Sequence, residues 1–454
     1  MTDVNPTTAY DFKVALVSLG CDKNTVDGEE MLGILTAHGY RLAELPEDAD
    51  AVIVNTCCFI GDALEESIST LFEIAQLKKE GSLQYLIVTG CMSERYKEQI
   101  STEIPEADAF LGTTGFTEIA TVLDRLRAGE RGIAVFPDVN RVTEESPRRI
   151  TNRPYTEYLK IAEGCDKKCT YCAIPRFRGA YRSIPMNRLV KTARELAAEG
   201  VKELILVAQE TTVYGRDIYG EKKLPELLRR LGEIEDLEWI RLLYCYPEEI
   251  DDELIEAIAT EPKVVHYIDM PLQHTETHVL QRMGRILTKE GLFRLVERLR
   301  TRIPDIALRT TLIAGFPGET EEEHQALLET LDTLEFDRLG VFTYSKEEGT
   351  IAADMPDQLP QETKERYRDE IMELQQEISL DKNESLVGKK YQVLVEGYLP
   401  EEDVYVARTY RDAPDVDGMV FLSADRELMS GSMVTARIVG AAEYDLTAEL
   451  EEDE

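Results

Sequence analysis

Cys165, Cys169 and Cys172 fall in the stretch GCDKKCTYC, a C-x3-C-x2-C pattern in a chain that holds eight cysteines. Thiolates at such tight spacing are ligands of iron-sulfur clusters, and three of them leave one iron of a four-iron, four-sulfur cluster without a protein ligand. An iron left open in this way can hold a small molecule. A structural zinc site needs four closed ligands, commonly from C-x2-C pairs, and no fourth Cys or His lies near this loop. Cys21, Cys57 and Cys91 form a second set, separated by 36 and 34 residues. Each follows an apolar run, in KVALVSLGC, AVIVNTCC and QYLIVTGC.

The elements that must position these thiols are legible as an alternation. From Lys13 to about Leu126, apolar runs alternate with amphipathic stretches such as VDGEEMLGILTAHG and DALEESISTLFEIAQLKK. That pattern predicts βαβ units and a doubly wound parallel sheet. Loops beyond the carboxyl ends of such strands converge on one edge, so Cys21, Cys57 and Cys91 are expected to meet there. Cys58 adjoins Cys57, and spacing leaves the choice between them open. Residues 130–153, rich in Pro, Asn, Arg and Ser, are expected to form a crossing linker. A second series follows with six strands, YLKIAEG, KELILVAQ, LEWIRLLYCY, VVHYIDM, ALRTTLIAGF and RLGVFTYS, alternating with helices. Six βα units predict an open barrel smaller than the full eight, with the cysteine loop at its catalytic mouth. After a charged helix around 363–381, the segments YQVLVEGYL, VYVARTYR, GMVFLS and MVTARIVGAAEY predict a small antiparallel β-barrel ending in an acidic tail. The expected domains are therefore 1–150, 151–385 and 386–454.

Composition bounds the partners. The 51 Lys+Arg stand against 88 Asp+Glu, a formal charge of −37, which repels phosphate backbones and attracts a basic partner. No basic and apolar leader or long apolar run occurs, so a cytoplasmic location without membrane spanning is expected, where thiols stay reduced. Residues 386–450 hold six Lys+Arg against twelve Asp+Glu, a net of −6. A barrel that grips RNA should be basic, because phosphate neutralisation supplies most of its affinity. This one suits a basic protein, and Asp412, Asp415 and Asp417 in the turn RDAPDVDG are expected to dock it. Arg176, Arg178 and Arg182 form a basic strip after the cysteine loop that could steer an anion. His274 and His278 stand at i, i+4 in QHTETH with no third ligand in reach, and read as structural. Cys245 has no partner by spacing and is expected in the core.

The C-x3-C-x2-C loop, with Tyr171 before its last cysteine, resembles the signature of the radical S-adenosylmethionine superfamily. The resemblance implies that the open iron chelates S-adenosylmethionine and that one electron cleaves it to a 5′-deoxyadenosyl radical. It also implies cofactor contacts at Tyr171, at Gln209 and Glu210 after the second strand, and at Gly315 in TLIAGFPGET. The pattern LGC, NTCCF and TGC is similar to the amino-terminal domain of the methylthiotransferases, in which three such cysteines hold a second four-iron cluster; the N-T-C text favours Cys57. Stretches reading AIPRFRGAYRS, VAQETTVYG, YIDMPLQH and RTYRDAPDVDG resemble the branch of that family that modifies an aspartate of the twelfth protein of the small ribosomal subunit. The carboxyl-terminal segment corresponds to the family's TRAM barrel.

This resemblance implies methylthiolation of the aspartate β-carbon. It implies that one S-adenosylmethionine methylates a sulfur on the auxiliary cluster and that a second is cleaved for the radical that takes the hydrogen. An electron donor is implied as a further partner, and tRNA is not expected as substrate. The rival readings are a tRNA methylthiotransferase acting on a modified adenosine, a non-catalytic two-cluster electron carrier and a zinc-stabilised binding module.

Overall fold

The computed structural model describes residues 11–151 and 153–451. The expected start of the first domain at residue 1 and the acidic tail from residue 452 onward lie outside the described residues. The chain forms two compact units. One holds the described residues through Thr151 together with Ala162–Lys167 and Cys172–Arg182; the other holds residues 153–161, Lys168–Tyr171 and the described residues from Ser183.

In the first unit, β1 (Lys13–Ser18), β2 (Arg41–Leu42), β3 (Ala51–Thr56), β4 (Tyr85–Gly90), β5 (Ala109–Leu111) and β6 (Ile133–Val135) form one sheet in the order β2-β1-β3-β4-β5-β6. Every pairing is parallel. The central strands AVIVNT and YLIVTG are buried along their whole length, as continuous apolar runs covered on both faces must be. Side chains alternate between two cores: Val14, Ile53 and Ile87 pack on one face, and Val52, Val54, Leu86 and Val88 on the other. The helices are α1 (Asp22–Ala37), α2 (Gly61–Glu80), α3 (Cys91–Glu103, interrupted at Lys97) and α4 (Ile119–Arg127). The expected linker is corrected at Ile133–Val135, which adds the edge strand β6 beside β5. Three residues are too few to display an alternation.

The second unit carries β7 (Thr156–Lys160). In chain order the two-residue strands β8 (Ala162–Glu163), of the first unit, and β9 (Arg182–Ser183), with one residue in each, come next; β10 (Glu203–Val207), β11 (Trp239–Leu242), β12 (Val264–Asp269), β13 (Ala307–Ala314) and β14 (Arg338–Thr343) follow in the second unit. Its sheet is wholly parallel in the order β14-β13-β12-β11-β10-β7. Each long strand lies beside the next in sequence and the two edges do not pair, which is an open six-stranded barrel. The expected charged helix spans Gln361–Glu384. After it, β15 (Lys390–Leu399), β16 (Val404–Thr409), β17 (Val420–Ser423), β18 (Met433–Ala441) and β19 (Leu446–Leu450) close into a barrel in the order β15-β16-β17-β19-β18. β19 is a strand beyond the four expected, and its pairing with β17 is parallel.

The closed barrel packs on one face of the parallel sheet. Leu394 and Ala413 join Tyr155, Ile205, Val207, Trp239 and Tyr267 in a single apolar cluster. Beside it lies a buried ionic network. Glu203 Oε1 accepts from Arg241 Nε at 2.7 Å with both side chains fully buried, and Glu203 also accepts from Arg408. Arg338 donates to Asp412 at 2.6 Å and Arg309 to Asp417 at 3.1 Å. The expectation that Asp412, Asp415 and Asp417 form a docking turn is therefore corrected. The Asp412 and Asp417 side chains are each only 2% exposed and are held as internal counter-ions by arginines of the sheet. Asp415 alone reaches solvent, where Arg153 pairs with it.

Burial by itself pushes the Glu203 carboxyl up, but the Arg408 and Arg241 guanidiniums override it and hold it at about 2. Glu203→Gln is expected to destabilise the second unit by about 3–5 kcal/mol, because it leaves Arg241 buried without its counter-charge and Arg408 with Glu396 alone. The sign with pH follows from a depressed carboxyl. The stabilisation is fully present above the unfolded value near 4.5 and is lost as pH falls toward about 2. Thermal unfolding followed between pH 6 and pH 3 should show the parent losing part of its advantage over Glu203→Gln across the acidic end. Parallel curves with equal midpoints would contradict the assignment.

Candidate functional site

The first unit brings three of the expected thiols to one edge of its sheet. Cys21 lies three residues past β1 and is the N-cap of α1, Cys57 directly follows β3, and Cys91 directly follows β4 as the first residue of α3. The N-termini of helices favour negative charge, so two of these sulfurs sit where thiolates and anionic groups are stabilised. Gly20 and Gly90 precede Cys21 and Cys91 with φ of +88° and +94°. A Cβ on Gly20 would stand 2.7 Å from Cys57 Cβ, and one on Gly90 would stand 2.5 Å from Asn55 Oδ1. Both turns therefore require glycine.

Polar side chains brace the same loops. Asn24 donates through Nδ2 to Leu19 O at 2.8 Å and to Thr56 O at 3.1 Å. Asn55 donates to Asn24 O at 2.7 Å. Ser67 of α2 accepts from Cys57 N at 3.0 Å and donates back to Cys57 O at 2.9 Å. Cys58 is fully buried in the apolar cluster with Val54 and Leu71.

Burial pushes the Cys57 thiol up, and the nearby Cys21 adds to the effect. Burial also pushes up Cys91; the Arg178 guanidinium opposes it, while Cys58, Cys21 and Cys57 lie within electrostatic reach and reinforce it. Two buried thiols whose ionisation burial opposes, Cys57 and Cys91, with the half-buried Cys21 nearby, suit a group that replaces thiol protons with iron. Among the described residues no three His, Cys, Asp or Glu side chains stand as ligands of a single metal ion. Cluster thiolates bind different irons and need not converge on one point.

The cysteine loop divides between the units, with Cys165 and Cys172 in the first and Cys169 in the second. All three are partly exposed, in contrast to Cys57, Cys58 and Cys91. In the first unit Cys165 N donates to Gly179 O at 3.1 Å. The expected basic strip is corrected: Arg176 is exposed, but Arg178 is buried and pairs with Asp27 at 2.7 Å and Glu163 at 3.1 Å. In the second unit Cys169 Sγ lies 3.6 Å from Tyr246 Oη. Arg285 stacks 3.8 Å over the Tyr246 ring and makes a two-pronged pair with Glu248. Thr170 is pinned through Oγ1 to Arg282 O and through its amide to Met283 O. Tyr171 is half-buried, within reach of the Arg285 charge.

Gln209 and Glu210 follow β10; Gln209 is half-buried, and Glu210 is buried and accepts from Thr212 Oγ1. Gly315 has φ of +73°, and a Cβ there would stand 2.4 Å from Lys364 Cγ, so internal packing already accounts for glycine. Glu319 holds this element by accepting from Gly315 N at 2.8 Å and Phe316 N at 2.9 Å. His274 is buried beside Glu319, whereas His278 is exposed and bonded to Glu323, so the two do not act as a pair. Cys245 is fully buried against Thr211, with its thiol pushed up to about 12 by burial. Sequence reasoning missed Asn24, Asp27, Ser67, Tyr246, Arg285 and Glu319. The one signal available for Arg178 and Asp27 was their opposite charge, which no spacing connects.

Residues 13–112 match the family described as uncharacterized protein family UPF0004, residues 159–331 the radical SAM superfamily, and residues 387–450 the TRAM domain. Among solved structures, the radical S-adenosylmethionine methyltransferase TsrM from Kitasatospora setae shares the fold with a TM-score of 0.53 at 16% identity over 73% of each chain. The cobalamin-dependent S-adenosylmethionine radical enzyme OxsB gives 0.51 at 12% identity, covering 81% of this chain and 56% of the other. Similarity to curated proteins is far higher. The protein named ribosomal protein uS12 methylthiotransferase RimO from Lachnoclostridium phytofermentans is 54% identical over 96% of this chain and 99% of its own length. Its namesakes from Acetivibrio thermocellus and Symbiobacterium thermophilum are 48% and 47% identical, over 96% and 100% of this chain and 98% and 95% of their own lengths. Identity of this level, sustained end to end, means that the chain belongs to the RimO family of radical S-adenosylmethionine methylthiotransferases.

Proposed function

We propose that this chain methylthiolates the β-carbon of an aspartate in ribosomal protein uS12. The observation that carries the reading is end-to-end identity near 50% with relatives named for that substrate. Cys165, Cys169 and Cys172 would hold one four-iron cluster with S-adenosylmethionine on its open iron, and Cys21, Cys57 and Cys91 the auxiliary one. When bound, these groups supply the one-electron and sulfur chemistry that an unactivated C–H bond demands, since it offers no proton to a general base. The chain's own residues orient and enclose. Asn24, Asn55 and Ser67 hold the strand-end loops, and Tyr246 keeps a hydroxyl beside the Cys169 sulfur. Glu319 fixes the backbone at Gly315. Tyr171, Gln209, Glu210 and Gly315 are the candidate cofactor contacts, and the domains divide at about 150 and 385. An external electron donor and a cytoplasmic setting complete the reading; among the described residues no helix is long and apolar enough to cross a membrane.

The carboxyl-terminal barrel supports a protein substrate over tRNA. With the buried Arg408 and Asp412 and the ion-paired Arg411, Glu396 and Asp417 set aside, four basic residues stand against nine acidic ones on residues 386–450. Glu401, Glu402 and Asp403 are exposed together in the turn between β15 and β16. Incubated with uS12, S-adenosylmethionine and a reductant, the reconstituted chain should place one methylthio group on an aspartate, read by mass spectrometry of uS12 peptides. Binding should weaken as salt rises through the range where the Debye length falls below about 10 Å. Reversal of Glu401, Glu402 and Asp403 to Lys should slow association several-fold and leave cofactor cleavage intact. Methylthiolation of tRNA in preference to uS12 would overturn the substrate.

A further inference from the structure

Arg178 is among the most deeply enclosed cations of the first unit, 2% exposed, and the expected anion-steering role does not explain where its donors go. Its Nη1 donates to Asp27 Oδ2 at 2.7 Å and to Glu163 Oε2 at 3.1 Å, and its Nη2 donates to Asn24 Oδ1. These partners already neutralise the charge. Its Nε–H points at Cys91 Sγ at 3.2 Å. A neutral thiol is a weak acceptor, and a fully buried guanidinium gains little from it. A sulfur carrying negative charge is a strong one, because charge-assisted hydrogen bonds are shorter and about twice as strong as neutral ones. Asn24 links the same guanidinium to the turn of Cys21, since its Nδ2 holds Leu19 O and Thr56 O. Glu163 stands two residues before Cys165 in the same unit.

We propose that Arg178 is a positioning residue of the auxiliary cluster, its Nε–H bonded to the Cys91 sulfur as an iron ligand, where it raises that cluster's reduction potential. The inference rests on Cys21, Cys57 and Cys91 holding a cluster. Reduction adds an electron to a group already negative, so a fixed cation and a hydrogen bond at a ligand sulfur favour the reduced form. Asp27 and Glu163 fix the guanidinium so that this donor stays on sulfur. The bond constrains the cluster rather than the cofactor, so the radical cluster should not respond.

The test uses the full chain carrying Cys165→Ala, Cys169→Ala and Cys172→Ala, which retains only the auxiliary site. After anaerobic reconstitution, iron content and an EPR-monitored redox titration are compared for this background, for added Arg178→Met and for added Arg178→Lys. The midpoint should move to more negative potential in Arg178→Met and lie between the two in Arg178→Lys, which keeps charge but loses the planar fork. In the complementary background lacking Cys21, Cys57 and Cys91, Arg178→Met should leave the radical cluster's midpoint unmoved. A retained cluster with an unmoved midpoint would overturn the inference alone. Loss of the cluster from both Arg178 variants would reduce Arg178 to a structural ion pair and overturn the tuning role. A background that binds no iron at all would overturn the ligand assignment, and the inference with it.

Discussion

Replacement of Cys165, Cys169 and Cys172 by Ala is expected to abolish formation of 5′-deoxyadenosine and to lower the iron content of the reconstituted chain from about eight to about four per chain. The effect should be complete because these are the three cysteines that the loop holds, and no further cysteine lies close by in sequence to substitute. All three are partly exposed, as a site that admits a cofactor and an electron must be, whereas of the strand-end thiols only Cys21 is. The surroundings of Cys169 argue that the loop is held for chemistry. Thr170 is tied by two hydrogen bonds to the turn at Arg282 and Met283, and the Tyr246 hydroxyl beside the sulfur is backed by Arg285 and Glu248. Iron analysis and chromatographic assay of the cleaved nucleoside decide the outcome. Continued reductive cleavage of S-adenosylmethionine by the triple variant would place the radical site elsewhere.

What the sequence made legible, and what it hid, divides along the range of the forces involved. Strand-end thiols were readable because βα alternation is a local signal, and a parallel sheet then delivers the loops after β1, β3 and β4 to one edge whatever their distance in sequence. Six strands of the open barrel were visible for the same reason. β6 was not, being only three residues long, and neither was β19, whose LTAEL runs directly into the acidic residues that follow it. The turn RDAPDVDG misled because Asp beside Pro and Gly normally marks a solvated turn. Its Asp412 and Asp417 are buried by arginines 74 and 108 residues away, a pairing with no trace in local pattern. Arg178 repeats the lesson, with partners 87 and 151 residues distant turning an apparent surface strip into an internal cation. The charge argument for the carboxyl-terminal barrel keeps its sign once these residues are set aside, because basic and acidic groups are buried together.

Single replacement of Cys21, Cys57 or Cys91 by Ala should leave 5′-deoxyadenosine formation near the parental rate while methylthiolated uS12 falls below detection. Each variant removes one of the three strand-end thiols proposed to hold the auxiliary cluster. Cys58 supplies the internal comparison. Residues 57 and 58 leave β3 in succession, so their side chains part. The Cys57 side chain is the one that crowds Gly20 beside Cys21, while its amide and carbonyl are clamped by Ser67. The Cys58 side chain packs among Val54, Leu71 and Val88 in the apolar core. Cys58→Ala should therefore keep transfer activity and lose only about 1 kcal/mol of stability, the ordinary cost of trimming a buried side chain. Assaying both products in the same reaction separates the two functions, since one reports the radical site and the other needs both. Full transfer by Cys57→Ala together with its loss in Cys58→Ala would move the ligand to Cys58. Loss of 5′-deoxyadenosine in all three strand-end variants would tie these thiols to the radical site instead of a cluster of their own.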